Sequence, residues 1–312
     1  MRTDRPSITA AASGIGSRRR AASGGGLAPA FLAYGLFSVS DGSVKALGTR
    51  LSPFEVACFI GVFSAVVLPF TMSPGDRWAH ILAMRRPVLT LFRSAISTLA
   101  GIFSILAFTH ISFAEAYAVI FIAPVLALVL SVFALGELVG WRRWSSVAAG
   151  IAGVLIVTRP GFRDLGMGHL SAFIAAGCVA ASIVSLRVMG SSERPSTIYA
   201  VLTLVSLLIV TPLMLLQGFV SPTAGEWALL GLSGLAAGLG QLMLMTATRR
   251  APANQIAPAQ YSQLGWAILY GGLFFAELPD IPTFLGLAFI VGSGLFLIQR
   301  RPKQAVPMSH PL

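Results

Sequence analysis

An apolar run of more than 20 residues, AEAYAVIFIAPVLALVLSVFALGE, begins at Ala114 and closes on Glu137, with Pro124 inside it. A basic loop with Arg142 and Arg143 follows. A second apolar stretch dense in small residues, WSSVAAGIAGVLIV, then ends at Val157. Water cannot accommodate so much contiguous apolar surface. Lipid accepts it as two bilayer-crossing helices joined by a short positive loop. The same design returns between Ala251 and Glu277, followed by LPDIP and TFLGLAFIVGSGLFLI, and Glu277 closes its run as Glu137 closes the first.

Only 11% of the 312 residues are charged, and the mean hydropathy is +0.81. A soluble domain carries about 25% charged residues, so this chain cannot cover a water-facing surface. The apolar runs are continuous and do not alternate, which points to helices and away from a barrel. The expected fold is therefore an all-α polytopic membrane protein. The net charge of +11 comes from arginines between apolar segments, which a positive-inside bias explains without nucleic acid. Cys58 and Cys178 both fall inside apolar segments. Two cysteines make neither a disulfide framework nor a metal site, so they read as small core residues. No cofactor or metal is expected.

Residues 1–26 are rich in Arg, Ser, Ala and Gly and hold no apolar run. They read as a disordered cytoplasmic tail, and 300–312 as a second one. Ten spans are expected between them: Leu27–Leu47, Phe54–Met72, Val88–Thr109, Ala114–Leu135, Trp144–Val157, Leu170–Val188, Ile198–Leu216, Trp227–Met245, Ile256–Phe275 and Thr283–Ile298. With both termini inside, the outer loops hold only Arg50, Arg159 and Arg163. Lys45 and Arg93 lie within spans, and the other 17 of the 22 basic residues face inward. That asymmetry sets both termini in the cytoplasm of a multi-pass protein of the cell (inner) membrane.

The chain also repeats itself. Ser43 pairs with Ser185, Lys45 with Arg187, Gly48 with Gly190 and Pro53 with Pro195, all at one constant offset along the sequence. The expected domains are thus two five-helix units, 27–158 and 170–299. Five is odd, so the second unit enters the membrane inverted, an architecture that places a substrate site near the midplane between halves.

The run ALGELVGWRRWSSVAAGIAGVLIVTRPG resembles the end of the first repeat in EamA-type proteins of the drug/metabolite transporter superfamily. FTHISFAEAYAVIFIAPVLALVL is similar to the segment before it, and YSQLGWAILYGGLFFAE to the matching segment of the second repeat. The resemblance covers roughly Leu27 to Ile298. It implies a secondary transporter that moves a small organic metabolite by alternating access. The YSQL stretch is similar to vitamin and nucleoside-like uptake members, which places riboflavin first among substrates. An aromatic or neutral amino acid (exported) and S-adenosylmethionine are the alternatives. Many relatives carry an arginine midway along the second span, where this chain has Ile60.

Ionisable and polar groups inside spans are the candidates for the pathway. Asp41 has no charged counterpart in the second repeat, where Ile183 takes its place. It reads as a substrate or proton contact, or as an i, i+4 partner of Lys45. Proton coupling and uncoupled exchange are both compatible with it. Lys45 itself reads as a snorkelling anchor. Arg93, one turn into the third span, faces either the pathway or the headgroups. Tyr261, Gln263 and Trp266 follow Pro258 too deep in their span for an aromatic belt, and could stack on a planar ring and bond its edge. Gln241 and Tyr117 sit on helices expected to flank the same cavity. Pro124 and Pro258 are expected to bend their helices. Glu137 and Glu277 each close a long helix at the end unfavourable for a carboxylate, and read as a structural or gating pair. Gly150, Gly153, Gly234 and Gly238 are expected at close helix contacts. The histidines lie in loops, span ends or a tail, and no phosphate-binding loop or HExxH motif is present. The sequence therefore points away from an enzyme or ATPase. A non-transporting receptor or scaffold would be expected to carry a long soluble domain.

Overall fold

The computed structural model describes residues 25–72, 78–136, 140–160, 165–190, 192–251 and 253–299. Apart from Gly25 and Gly26, the expected tails lie outside these residues, as does Glu137. Among the described residues the regular elements are helices. In order they are α1 (Leu27–Leu47), α2 (Pro53–Ala65), α3 (Leu68–Thr71), α4 (Pro87–His110), α5 (Phe113–Ile120), α6 (Ala123–Leu135) and α7 (Trp141–Thr158). Then come α8 (Met167–Met189), α9 (Pro195–Gln217), α10 (Ala224–Arg250), α11 (Ala253–Gln260), α12 (Ser262–Phe275) and α13 (Ile281–Gln299). A short 3-10 turn, Trp78–His80, precedes α4. Among the described residues five segments are long and apolar enough to cross a bilayer: α4, α5 with α6, α8, α9 and α10.

The local causes of these helices are legible. Ser52 caps α2 by accepting from the Glu55 N–H at 3.1 Å, with Pro53 at the first position. Thr223 and Glu226 form a reciprocal capping box on α10. The expected span Phe54–Met72 is divided in two, because Pro69 cannot donate into a continuous ladder. The two apolar runs that the sequence presents as single spans are also broken. The first breaks between α5 and α6 at Phe121 and Ile122, the second between α11 and α12 at Tyr261. Pro124 sits in the first turn of α6 and Pro258 lies inside α11, shortly before its break. At each break the backbone tightens to an i−3 bond: Ile122 N–H to the Val119 carbonyl, 3.2 Å, and Tyr261 N–H to the Pro258 carbonyl, 3.2 Å. Phe121 and Tyr261 meet there with ring centroids 5.7 Å apart.

The repeat-related pairs do the same local work. Gly48 and Gly190 cap α1 and α8 with φ of 66° and 59°, a region that favours glycine. Ser43 and Ser185 each return a hydroxyl to the carbonyl one turn back, both at 2.8 Å. Pro53 and Pro195 open α2 and α9. Packing follows the same exchange. α1 runs along α10, α4 runs along α8, and α7 pairs with α13. The first two pairs each carry a serine–serine bond of 2.9 Å, Ser40 to Ser233 and Ser97 to Ser182.

Small residues permit these approaches, as expected in lipid. A Cβ on Gly234 would lie 2.8 Å from the Ile60 carbonyl oxygen, and one on Gly238 3.0 Å from that of Ser64. A Cβ on Gly150 would lie 3.0 Å from Val125 Cγ2, and one on Gly153 2.8 Å from the Gly286 carbonyl oxygen.

The loop before α13 is pinned by Asp280. Its Oδ1 accepts from the Thr283 N–H at 3.1 Å and the Thr283 hydroxyl at 2.6 Å, and its Oδ2 pairs with Arg159. The guanidinium, and then the Thr283 hydroxyl, hold this carboxyl below the usual carboxylate range. A depressed folded pKa contributes stability that is fully present above the unfolded value, about 3.9, and is lost as the pH falls through the lower folded value. The pair is half-exposed, so it contributes about 0.5 kcal/mol after solvent screening. Asp280→Asn keeps the cap and loses the charge. Its small deficit in unfolding midpoint at pH 7 is therefore expected to shrink progressively as both proteins are melted at pH values below about 4.

Candidate functional site

A cavity of about 440 Å³ lies among the helices. α1 contributes Phe37, Ser40, Asp41 and Val44, and α4 a stripe from Ser97 and Thr98 through Gly101 to Ser104, Ile105 and Phe108. α5 brings Tyr117, α9 brings Tyr199, Thr203 and Ser206, α10 brings Gln241, and Gln260 and Gln263 come from α11 and α12. The wall is mostly apolar with hydroxyl and carboxamide groups converging on it, the usual make-up of a small-molecule site.

Its polar centre is a chain of three side chains from three helices. The Tyr117 hydroxyl donates to Asp41 Oδ2 at 2.5 Å, and Gln263 Nε2 donates to the Tyr117 oxygen at 3.4 Å. Tyr117 is held in place by packing. It is 2% exposed and lies against Phe108, Phe113 and Phe121, with ring centroids 5.0 to 5.7 Å away. The sequence singles out all three members of this chain but does not join them.

Asp41, Tyr117, Gln241 and Gln263 therefore converge on one cavity, whereas Arg93, Tyr261 and Trp266 are not among its lining residues. The Trp266 ring lies over Gly35 of α1, about 3.7 Å from where a Cβ would stand there, and Tyr270 does the same over Gly42. These aromatics cement α12 to α1. Tyr261 is turned toward Gly294 of α13, where its ring occupies the space a Cβ would need. Arg93 is half-buried on α4, one turn from Ser97, and its Nε and Nη1 have no hydrogen-bond partner among the described residues.

The i, i+4 pairing of Asp41 with Lys45 is not what forms. Lys45 Nζ pairs with Glu277 Oε1 at 2.9 Å and donates to the carbonyls of Ile111, 2.9 Å, and Phe108, 3.3 Å. Its side chain is 9% exposed, so it does not snorkel. Glu277 Oε2 accepts from the Phe113 N–H at 3.0 Å. The carboxylate at the unfavourable end of α12 thus finds its compensation on α1 and α5. Arg187, the repeat counterpart of Lys45, donates to the Ser131 hydroxyl at 2.9 Å.

Several wall residues are not among the sequence candidates. Ser97, Thr98, Ser104, Thr203 and Ser206 line the cavity, and Tyr199 does so while donating to the Ser64 carbonyl at 2.8 Å. The available signal is the spacing of Ser94, Ser97, Thr98, Gly101 and Ser104, a polar and small stripe on one face of an otherwise apolar helix. Ile60 is also part of the wall. Glu55, 0% exposed in the first turn of α2, is a buried carboxylate outside this wall.

Comparison with known proteins agrees with this architecture. The sequence profile of the EamA-like transporter family matches twice, at residues 25–159 and 166–299. An S-adenosylmethionine uptake transporter of Rickettsia prowazekii is 28% identical over 267 residues, 85% of this chain and 90% of that protein. A riboflavin transporter of Rhizobium johnstonii is 31% identical over 194 residues, 61% of this chain and 63% of that one. The pseudopaline exporter CntI of Pseudomonas aeruginosa is 27% identical over 272 residues, 85% of this chain and 93% of that one. A solved crystal structure shares the fold at a TM-score of 0.59 and 17% identity, covering 87% of this chain and 96% of its own. With the family profile matching nearly all of the described helices, in a protein of long apolar spans, the chain belongs to the EamA-like transporter family.

Proposed function

We propose that this protein is a secondary transporter that carries a small organic metabolite across the inner membrane by alternating access. The observation that carries this reading is the cavity itself. Its walls come from both family-matched segments, so a change in how the segments sit against each other would expose it to one side or the other. We read the chain as ten spans in two inverted five-span units, 27–158 and 170–299, with both termini in the cytoplasm. The shared local roles of repeat-related residues, the exchanged packing of α1 on α10 and α4 on α8, and the distribution of basic residues support this reading. Asp41, Tyr117, Gln241 and Gln263 are the substrate contacts, and Pro124, Pro258 and Glu277 belong to the hinge and closure elements around them.

The named substrates of the relatives supply the candidates. S-adenosylmethionine comes before riboflavin, because its transporters align along 85–88% of this chain and the riboflavin transporter along 61%. The direct test is uptake of each labelled compound into proteoliposomes, with and without a proton gradient. Saturable uptake of one compound, reduced about tenfold or more in Gln263→Ala as a lost hydrogen-bonding contact would require, is the expected result. Folded protein that moves neither compound above empty vesicles would overturn the reading.

A further inference from the structure

We propose that the cavity selects solutes by charge: it seats a positively charged centre, an ammonium or sulfonium, at Asp41 and turns away net anions. The inference rests on the transporter reading and adds to it the chemical class of the solute.

Among the described lining residues Asp41 is the one charged side chain. The remaining polar groups are hydroxyls and carboxamides, which hydrogen-bond without neutralising charge. The nearest candidate counter-ion, Lys45, is fully committed. An ammonium has three donors, and those of Lys45 meet Glu277 Oε1 and the carbonyls of Phe108 and Ile111. None of the ion pairs found among the described residues includes Asp41. Arg93 lies outside the lining set, and Ile60 adds no charge to the wall.

An uncompensated carboxylate within the membrane is costly, and such groups persist where they meet a partner or line a pathway. The one side-chain hydrogen bond to Asp41 among the described residues, from Tyr117, falls on Oδ2. A carboxylate accepts several bonds, so Oδ1 and the second lone pair of Oδ2 remain for a ligand. Phe37, Phe108 and Phe121 stand in the same wall, and aromatic faces attract an onium centre further. An anion at this place would meet like charge in a low-dielectric site with no basic group among the described lining residues to offset it. Of the two candidate substrates, S-adenosylmethionine carries a sulfonium and an ammonium, and riboflavin carries no cationic centre.

The test uses the purified full chain in proteoliposomes and three probes: S-adenosylmethionine, riboflavin and the anionic riboflavin 5′-phosphate. Binding is measured by titration and transport by counterflow. The wild type is expected to bind S-adenosylmethionine at least tenfold more tightly than riboflavin, and riboflavin phosphate more weakly than either. Asp41→Asn is expected to lose tenfold or more in affinity for S-adenosylmethionine, a larger factor than it loses for riboflavin. Asp41→Glu is expected to keep the preference, which separates charge from folding damage. Equal binding of riboflavin and its phosphate by the wild type overturns the proposal, as does unchanged S-adenosylmethionine binding in Asp41→Asn. Riboflavin transport without binding of the cation also overturns it and leaves the transporter reading standing. Failure to bind or move any of the three sinks both.

Discussion

Lys45→Met lowers the thermal unfolding midpoint of the detergent-solubilised protein by roughly 5 °C, at 2–4 °C per kcal/mol for a chain of this size class. The ammonium ties together α1, the end of α4, the start of α5 and the end of α12 through one carboxylate and two carbonyls. Its position 5.4 Å from the Phe275 ring centroid adds a cation–π contact. Removing one partner of a buried pair costs roughly 3–5 kcal/mol, because the other charge stays buried and alone. Glu277 is 32% exposed, so water recovers part of that and about 2 kcal/mol is expected here. The double variant Lys45→Met with Glu277→Gln removes the stranded charge and recovers part of the loss. The coupling from the double-mutant cycle is expected to reach about 1 kcal/mol or more. A single variant that melts with the wild type would show that the pair contributes nothing.

Gly286→Val has the other large effect, and it acts on assembly. A Cβ at Gly286 would stand 2.6 Å from the Gly153 carbonyl oxygen and 2.5 Å from Val157 Cγ2. Backbone on the facing helix cannot yield as a side-chain tip can, so α7 and α13 must separate along their seam. Overpacking of this kind costs roughly 1–3 kcal/mol and sometimes more. The expected readout is loss of the monodisperse peak on size exclusion in detergent, with little folded protein recovered. Gly292 is the control on the same helix, with nothing within 4 Å of where a Cβ would stand. Gly292→Ala is expected to be neutral or to gain up to about 1 kcal/mol from helix propensity. Equal recovery of both variants would mean that the seam is not tight.

The long apolar helices are legible because lipid leaves so few choices for an apolar run, and some helix ends because Gly48, Gly190, Pro53 and Pro195 have strong local conformational demands. Lys45 is not legible. Helical spacing points it at Asp41, but the partner that wins is Glu277, which lies in the other family-matched segment and is brought close by packing. Trp266 fails for a related reason. Its depth along the apolar run argues against an interfacial belt, yet depth does not say which neighbour a ring faces, and the open surface at Gly35 decides that. The hydroxyl residues of the wall are hidden by their ordinariness. Thr98 and Thr203 return hydroxyls to their own helices at 2.9 and 3.0 Å, as such residues do anywhere in an apolar helix. Asp41 stands out as unusual from charge alone, and its link to Tyr117 and Gln263 needs the fold.

The meeting of Phe121 with Tyr261 at the two helix breaks has a consequence for how such a protein can evolve. The two positions are separated by the same length of chain as Glu137 and Glu277, and they fall at nearly the same place in the two family-matched segments. In a dimer of identical chains, a residue on the symmetry axis meets itself, and every mutation there is made twice at once. Joined in a single chain, the two partners can be changed one at a time, and here they already differ by a hydroxyl. A chain with two family-matched segments can therefore specialise the place where they meet one residue at a time.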